Sequence, residues 1–393
     1  MASRADLDLA RKLLGASVLT EPQIREALEI QAELLQKGRS VGLDRILLVK
    51  GYLPRDATEA LAPLDLLEAQ PIPGYRLHRV LGEGGSSVVY AATYLANRAS
   101  VAVKVLDPVQ GLRADLRARF VEEARLLIQL EHENVVAGYE VGCVHGRNWV
   151  SMDLIEGPTV LEMIDRAGAL DNMTALWIAI QIAKALAYLH RSGLLHRDMK
   201  PGNVMIDATG RARIIDLGLV RKLPTAEETA AGEVRAEDSV TVGTVEYISP
   251  EQARGRGDLD VRTDIYSLGV TLYHMVVGDV PFHGDTSYEV MAKHILSGLD
   301  AQKVKNRRIA PEVHYAITKM MSKEREFRYA DCDDVVTDLT RFLPAGGVPR
   351  IVLPVSTPPP VAPGSPAPKS PTVPHPRVRE GGGPGAARRR RHW

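Results

Sequence analysis

The chain is 393 residues long, 45% hydrophobic and 25% charged, a composition of soluble globular proteins with room for two or three domains. Formal charge is zero, yet residues 344–393 carry eight Lys and Arg against one Glu, a local +7 that leaves −7 elsewhere. Cys143 and Cys332 are too few and too far apart for a disulfide or zinc framework, no run approaches the ~18 apolar residues of a membrane span, and the start lacks a signal-peptide core, so a cytoplasmic protein is expected.

Residues 1–70 read as helical, with Ile24, Ala27, Leu28, Leu34 and Leu35 at near-helical spacing. They hold a loose repeat. Leu13-Leu14, Val18-Leu19-Thr20 and Ala27-Leu28 are echoed by Leu47-Leu48, Tyr52-Leu53-Pro54 and Ala60-Leu61, 33 to 34 residues on. This pattern resembles the paired-helix domain at the start of type II secretion ATPases, some of which bind a cyclic dinucleotide. Gly42-Leu43-Asp44 stands where the ligand-binding version has Arg-Leu-Gly, so ligand binding is not carried over. A helical regulatory or interaction module is expected, with a structural cap as the other reading. Residues 71–74, Pro-Ile-Pro-Gly, break the periodicity as a linker.

Residues 75–105 read as strands around a glycine-rich turn, Leu81-Gly82-Glu83-Gly84-Gly85-Ser86-Ser87-Val88-Val89. Such a turn lets the backbone approach phosphates, although by itself it is as often a plain hairpin. In Val101-Ala102-Val103-Lys104-Val105 the three valines share one face and Ala102 shares the other with Lys104. The next predicted helix, residues 115–130, has an apolar stripe of Leu116, Phe120, Leu127 and Leu130, and Glu123 falls on that stripe. A carboxylate facing inward is costly unless paired, and Lys104 is the sensible partner. Glu122 points away from the stripe.

A long apolar helix over residues 174–192, closed by Gly193, leads into His196-Arg197-Asp198-Met199-Lys200-Pro201-Gly202-Asn203. Asp216-Leu217-Gly218 follows shortly. Two carboxylates, an ammonium and an amide at this spacing suit phosphoryl transfer, in which the protein mainly positions a charged group and neutralises it. Asp198 is the candidate base, and Asn203 with Asp216 supplies the hard oxygens that Mg²⁺ prefers. Thr263 is an expected N-cap of the helix that follows, and Asp264 in its first turn suits the helix dipole.

This ordered set, from Tyr75 to Leu343, resembles the eukaryotic-like, bacterial-type serine/threonine protein kinases. Leu217 stands where that family usually has Phe, Ser87 where it has its third glycine, and Ser249 where Ala precedes Pro250-Glu251. The resemblance implies an α+β fold in two lobes, a β-rich small lobe with hinge over residues 75–155 and a helical large lobe over 156–343. It assigns Asp198 and Lys200 to catalysis and Asn203 and Asp216 to the metal. Leu81, Gly82, Gly84, Gly85, Ser87, Val89, Ala102, Lys104, Glu123, Met152 and Met205 are assigned to ATP. Lys200 and Thr244 argue for Ser/Thr as acceptor, Asp264 for a hold on the catalytic-loop backbone, and Arg328 for a pair with Glu251. Thr241, with Ser239 as runner-up, is the expected activating phosphosite. ATP and Mg²⁺ are the implied cofactors and a protein the implied substrate. The competing reading is a kinase-shaped scaffold that recruits partners through residues 1–70. Residues 344–393, rich in Pro, Gly and Arg, are expected to be disordered, with Arg388 to Arg391 open to anionic partners.

Overall fold

In a computed structural model, residues 3–54, 57–62, 64–218, 220–223, 244–300 and 309–343 are described. The expectations for Ser239, Thr241 and the tail from residue 344 fall outside them.

The N-terminal repeat is a structural one. Helices α1 (Arg4–Gly15) and α2 (Glu21–Gln36) are followed by α3 (Leu43–Val49) and α4 (Ala57–Leu61). The repeated apolar positions are matched in burial: Leu13 with Leu47, Leu19 with Leu53, Ala27 with Ala60. The turns match too. Val18 and Tyr52 each return an N–H 2.9 Å to the carbonyls of Leu13 and Leu47 after a left-handed residue, Ser17 at φ 54° and Gly51 at φ 72°. A capping box at Ser3 and Asp6 starts α1, and the Asp6 carboxylate also accepts from Gln31 Nε2 and the Leu43 N–H, tying the first helix to the second and third.

A short helix α5 (Leu66–Ala69) leads into the small lobe. Its connection is packed: Ile72 is buried, and the Gln70 side chain bonds the Leu77 N–H and carbonyl. Strands β1 (Tyr75–Glu83), β2 (Ser87–Tyr94), β3 (Ala99–Leu106), β4 (Gly138–Val144) and β5 (Arg147–Asp153) form one antiparallel sheet in the order β1-β2-β3-β5-β4. The alternation predicted in β3 holds. Val101, Val103 and Val105 join a core with Leu66, Ile72 and Trp149 on one face, and Ala102 joins the other core with Phe120 and Leu127 of α6 (Ala114–Gln129).

The large lobe is built on α8 (Asn172–Arg191), which follows the short α7 (Val160–Ala167). Asp171 caps the N-terminus of α8 through the Met173 and Thr174 N–H groups, and the chain turns out at Gly193, φ 73°. It is the one helix among the described residues long and apolar enough to cross a membrane, and most of it is buried in the lobe's core. Strands β6 (Leu194–Leu195), β7 (Val204–Ile206), β8 (Ala212–Ile214) and β9 (Arg221–Lys222) carry the loops between α8 and α9 (Pro250–Ala253). Helix α10 (Arg262–Val277) is buried from Thr263 to Val277 and forms the centre of the lobe, with α11 (Ser287–Leu296), α12 (Pro311–Met320) and α13 (Cys332–Arg341) completing it.

Candidate active site

Cross-strand register assembles the upper wall of a cleft. Val89 lies opposite Lys104 on β2 and β3, and Met152 of β5 lies opposite Ala102. Residues directly opposite in an antiparallel pair share a face, so Val89, Ala102, Lys104 and Met152 line one surface. Leu81 and Gly82 lie near the end of β1, Gly84 and Gly85 form the turn, and Ser87 opens β2. The Gly84 N–H closes the turn 2.8 Å from the Ser87 carbonyl. Met205 lies on β7, bridged to Thr159, in the large lobe.

Lys104 is the point where the lobes meet. Its Nζ is 2.9 Å from Glu123 Oε1 on α6 and 3.5 Å from Asp216 Oδ1 in the large lobe. Burial opposes its charge, but the Asp216 and Glu123 carboxylates outweigh it and raise its pKa. Burial also drives Asp216 upward, and there Lys104, the Gly218 N–H and His196 reverse the sign, holding this carboxyl below its ordinary range. Glu123 is left raised, because burial together with the Asp216 charge exceeds the help of Lys104. Gly218 sits close to both carboxylates: a Cβ there would stand 3.2 Å from Asp216 Oδ1 and 3.5 Å from Glu123 Oε2, crowding the first by a few tenths of an ångström.

The catalytic-loop candidates form a second cluster. Asp198 Oδ2 accepts from Lys200 Nζ at 2.7 Å and from Asn203 Nδ2 at 3.0 Å, and Lys200 also donates to Thr244 Oγ1 at 2.9 Å. The Asn203 amide donates again, to the Asp198 carbonyl at 2.8 Å, which leaves its oxygen as the atom with metal chemistry. Beside Asp198 a small hollow of about 10 Å³ is lined by Arg197, Thr244, Val245, Tyr247, Ile248 and Gln252.

The loop's backbone is held from below. Arg197 sits at φ 66°, a left-handed conformation that costs a residue with a Cβ about 1–3 kcal/mol. Asp264, fully buried, accepts the His196 and Arg197 N–H groups at 2.8 Å each, and Gln252 Nε2 donates to the Arg197 carbonyl. The helix dipole is thus the lesser part of what Asp264 does. Thr263 does not cap the helix as expected: α10 begins at Arg262, and Thr263 Oγ1 donates 2.9 Å to Glu251 inside the core. Glu251 and Arg328 form a buried bidentate pair at 2.7 and 2.9 Å.

Some of the machinery carried no signal in the spacing. His190, near the end of α8, contacts Asp264 at 2.8 Å through Nε2. At the hinge, Asp153 accepts from Arg213 Nη2 of β8 at 2.7 Å and from the Ala137 N–H, joining small-lobe and large-lobe strands. Both pairs span dozens of residues, and neither breaks a local rule that would mark it.

A two-lobed fold with a cation held between carboxylates of both lobes, above a base loop carrying Asp, Lys and Asn, defines a phosphotransferase class of protein. A family model described as "Protein kinase domain" matches residues 75–338, about two-thirds of the chain. The chain belongs to that family. A probable serine/threonine-protein kinase of Clostridium perfringens is 36% identical over 268 residues, 68% of this chain and 38% of the relative. The serine/threonine-protein kinase PrkC of Bacillus subtilis is 32% identical over 265 residues, covering 67% and 40%, and PknB of Mycobacterium tuberculosis 31% over 271, covering 68% and 42%. The chain therefore spans about two-fifths of the length of the curated relatives it matches.

Proposed function

We propose that this protein is an ATP-dependent serine/threonine kinase that transfers the γ-phosphoryl group to protein hydroxyls. The observation that carries the reading is the placement of Lys104 between Glu123 and Asp216. Lys104, held by Glu123, would engage the α- and β-phosphates. The glycine turn would cover the triphosphate, and Leu81, Val89, Ala102, Met152 and Met205 would enclose the base.

Asp198 would receive the acceptor hydroxyl's proton, with Lys200 beside it to offset charge on the moving phosphoryl. Asn203 and Asp216 fit Mg²⁺ on their chemistry: an amide oxygen and a carboxylate kept ionised by its surroundings are hard donors. Among the described residues no cluster of three or more acidic, His or Cys side chains forms a closed cage, so such an ion would take its remaining ligands from phosphate and water. The bound metal would neutralise charge on the phosphates.

Thr241, with Ser239 second, is the proposed activating phosphosite, the N-terminal module the proposed protein-docking element, and the cytoplasm the proposed location. The test is incubation of the full chain with γ-labelled ATP and Mg²⁺, followed by phosphoamino-acid analysis and site mapping. Phosphoserine and phosphothreonine should accumulate, and Asp198→Asn should lower the rate by about 10²-fold or more while leaving nucleotide binding intact. Equal labelling of the wild type and Asp198→Asn would remove the assignment of the base, and no labelling of any protein would favour the scaffold.

A further inference from the structure

Helix α6 carries Glu123, and its two ends are fixed by different means. Near its C-terminal end it lies hard against β4: a Cβ on Gly138 would be 3.0 Å from the backbone of Leu127 and Ile128. At its N-terminal end Arg113, in the N-cap position, makes no capping bond and instead pairs with Asp115 of the first turn at 2.7 Å. The turn before it ties that end to the rest of the fold. Asp107 Oδ1 accepts the N–H groups of Val109 and Gln110 at 2.9 and 3.0 Å, shaping the single helical turn Gln110–Leu112 that runs into α6.

That turn is anchored in another part of the chain. Val109 is buried within the apolar core of the N-terminal module, in one cluster with Leu13, Leu19, Ile24, Leu43 and Leu47, and Leu112 packs at its margin. The module grips the small lobe at a second place, the β4–β5 turn. There Glu59 meets His145 at 2.9 Å, Ala60 lies against Gly146, and the buried Arg147 donates to the Ala62 carbonyl at 2.8 Å. Glu123 therefore lies between a tight contact at Gly138 and a handle at Val109 that belongs to the module's core.

We propose that the N-terminal module is an intramolecular brace on α6: by holding Val109 and Leu112 it sets the helix at the angle that brings Glu123 to Lys104, and so licenses nucleotide binding in cis. This deepens the kinase reading and rests on it. Undocking at Val109 frees the first turns of α6 and lets Glu123 leave Lys104. Undocking at His145 leaves α6 alone, because that contact reaches only the β4–β5 turn.

The experiment compares full-length wild type, Val109→Asp, Val109→Ile and His145→Ala. It measures binding of a fluorescent ATP analogue, hydrogen exchange across residues 114–129, thermal melting, and phosphoryl transfer. For Val109→Asp, nucleotide affinity should fall by about fivefold or more, the range of ordinary allosteric coupling. Exchange should rise in the first two turns of α6. Val109→Ile and His145→Ala should stay within twofold of wild type. If Val109→Asp does not fold, Leu112→Asp at the margin of the same core carries the comparison. The brace is overturned if the module's amides loosen while α6 exchange and nucleotide affinity do not change, or if His145→Ala weakens binding as much as Val109→Asp. Because analogue binding and exchange are read without turnover, absent phosphoryl transfer in the wild type would count against the kinase reading and leave the brace separately decided.

Discussion

Asp264 concentrates a large cost on one side chain. A carboxylate with no exposed surface is stable only if its lone pairs are filled, and here they receive two backbone N–H groups and the His190 ring. Burial pushes its pKa up, while His190, His196 and the Arg197 N–H push it down by more, so it stays ionised below the usual carboxylate range. These bonds hold Arg197 in its left-handed conformation and thereby set where Asp198 points. Asp264→Asn turns one acceptor into a donor that faces other donors. Bonds to charged groups contribute about 1.5–3 kcal/mol each, so a fall in kcat of about tenfold or more is expected, with the KM for ATP little changed because the nucleotide side of the cleft is untouched. Steady-state kinetics at saturating metal read this directly, and an effect on KM alone would contradict the role.

At the scale of elements, the segment from Ser249 to α10 is pinned by Arg328. All five of its N–H donors are used: two on the Glu251 carboxylate, and the rest on the carbonyls of Ser322, Arg262 and Lys323. Arg328→Met should destabilise the fold by about 3–5 kcal/mol, since it strands a buried carboxylate, and adding Glu251→Met should recover part of that loss. Urea unfolding of the single and double variants measures both numbers. The Arg328 pair was legible from motif order, and Lys104 with Glu123 from two periodicities that each placed a charge on an apolar face. The N-terminal repeat was legible as well, because equal spacing of Leu and Ala imposed equal burial. Thr263 shows where local rules stop. A threonine ahead of an apolar run satisfies the capping pattern, but the helix starts earlier, at Arg262, and the hydroxyl is used on Glu251. Val109, Arg147 and Asp153 act through contacts dozens of residues away, and nothing in their neighbours' spacing reports those contacts.

At the scale of the whole molecule, the base of the large lobe holds a cation that its surroundings oppose. Lys323 Nζ donates to the His294 carbonyl at 2.8 Å and to Tyr266 Oη at 3.2 Å, and lies 4.6 Å from the centre of the Phe282 ring. Burial, with the charges of Arg328 and Arg254, pushes its pKa down to about 8. The neighbouring His294 is pushed down to about 3 by burial and by Lys323, and stays neutral between Tyr266 and the Glu246 carbonyl. Between about pH 8 and the ordinary lysine value of 10.5, the unfolded chain keeps a proton that the folded chain has released. Where the unfolded state binds more protons, stability rises with pH. The buried tyrosines act in the opposite direction near pH 10 and above, so the wild-type curve alone mixes the two. Lys323→Met removes one group and keeps the others, and the difference in urea midpoint between wild type and variant isolates it. That difference should be flat below pH 8 and move in favour of the wild type as pH rises to about 10. Parallel midpoints across this range would mean that Lys323 keeps its proton in the folded chain up to its ordinary pKa, so that its bonds to the His294 carbonyl and Tyr266 offset its burial in full.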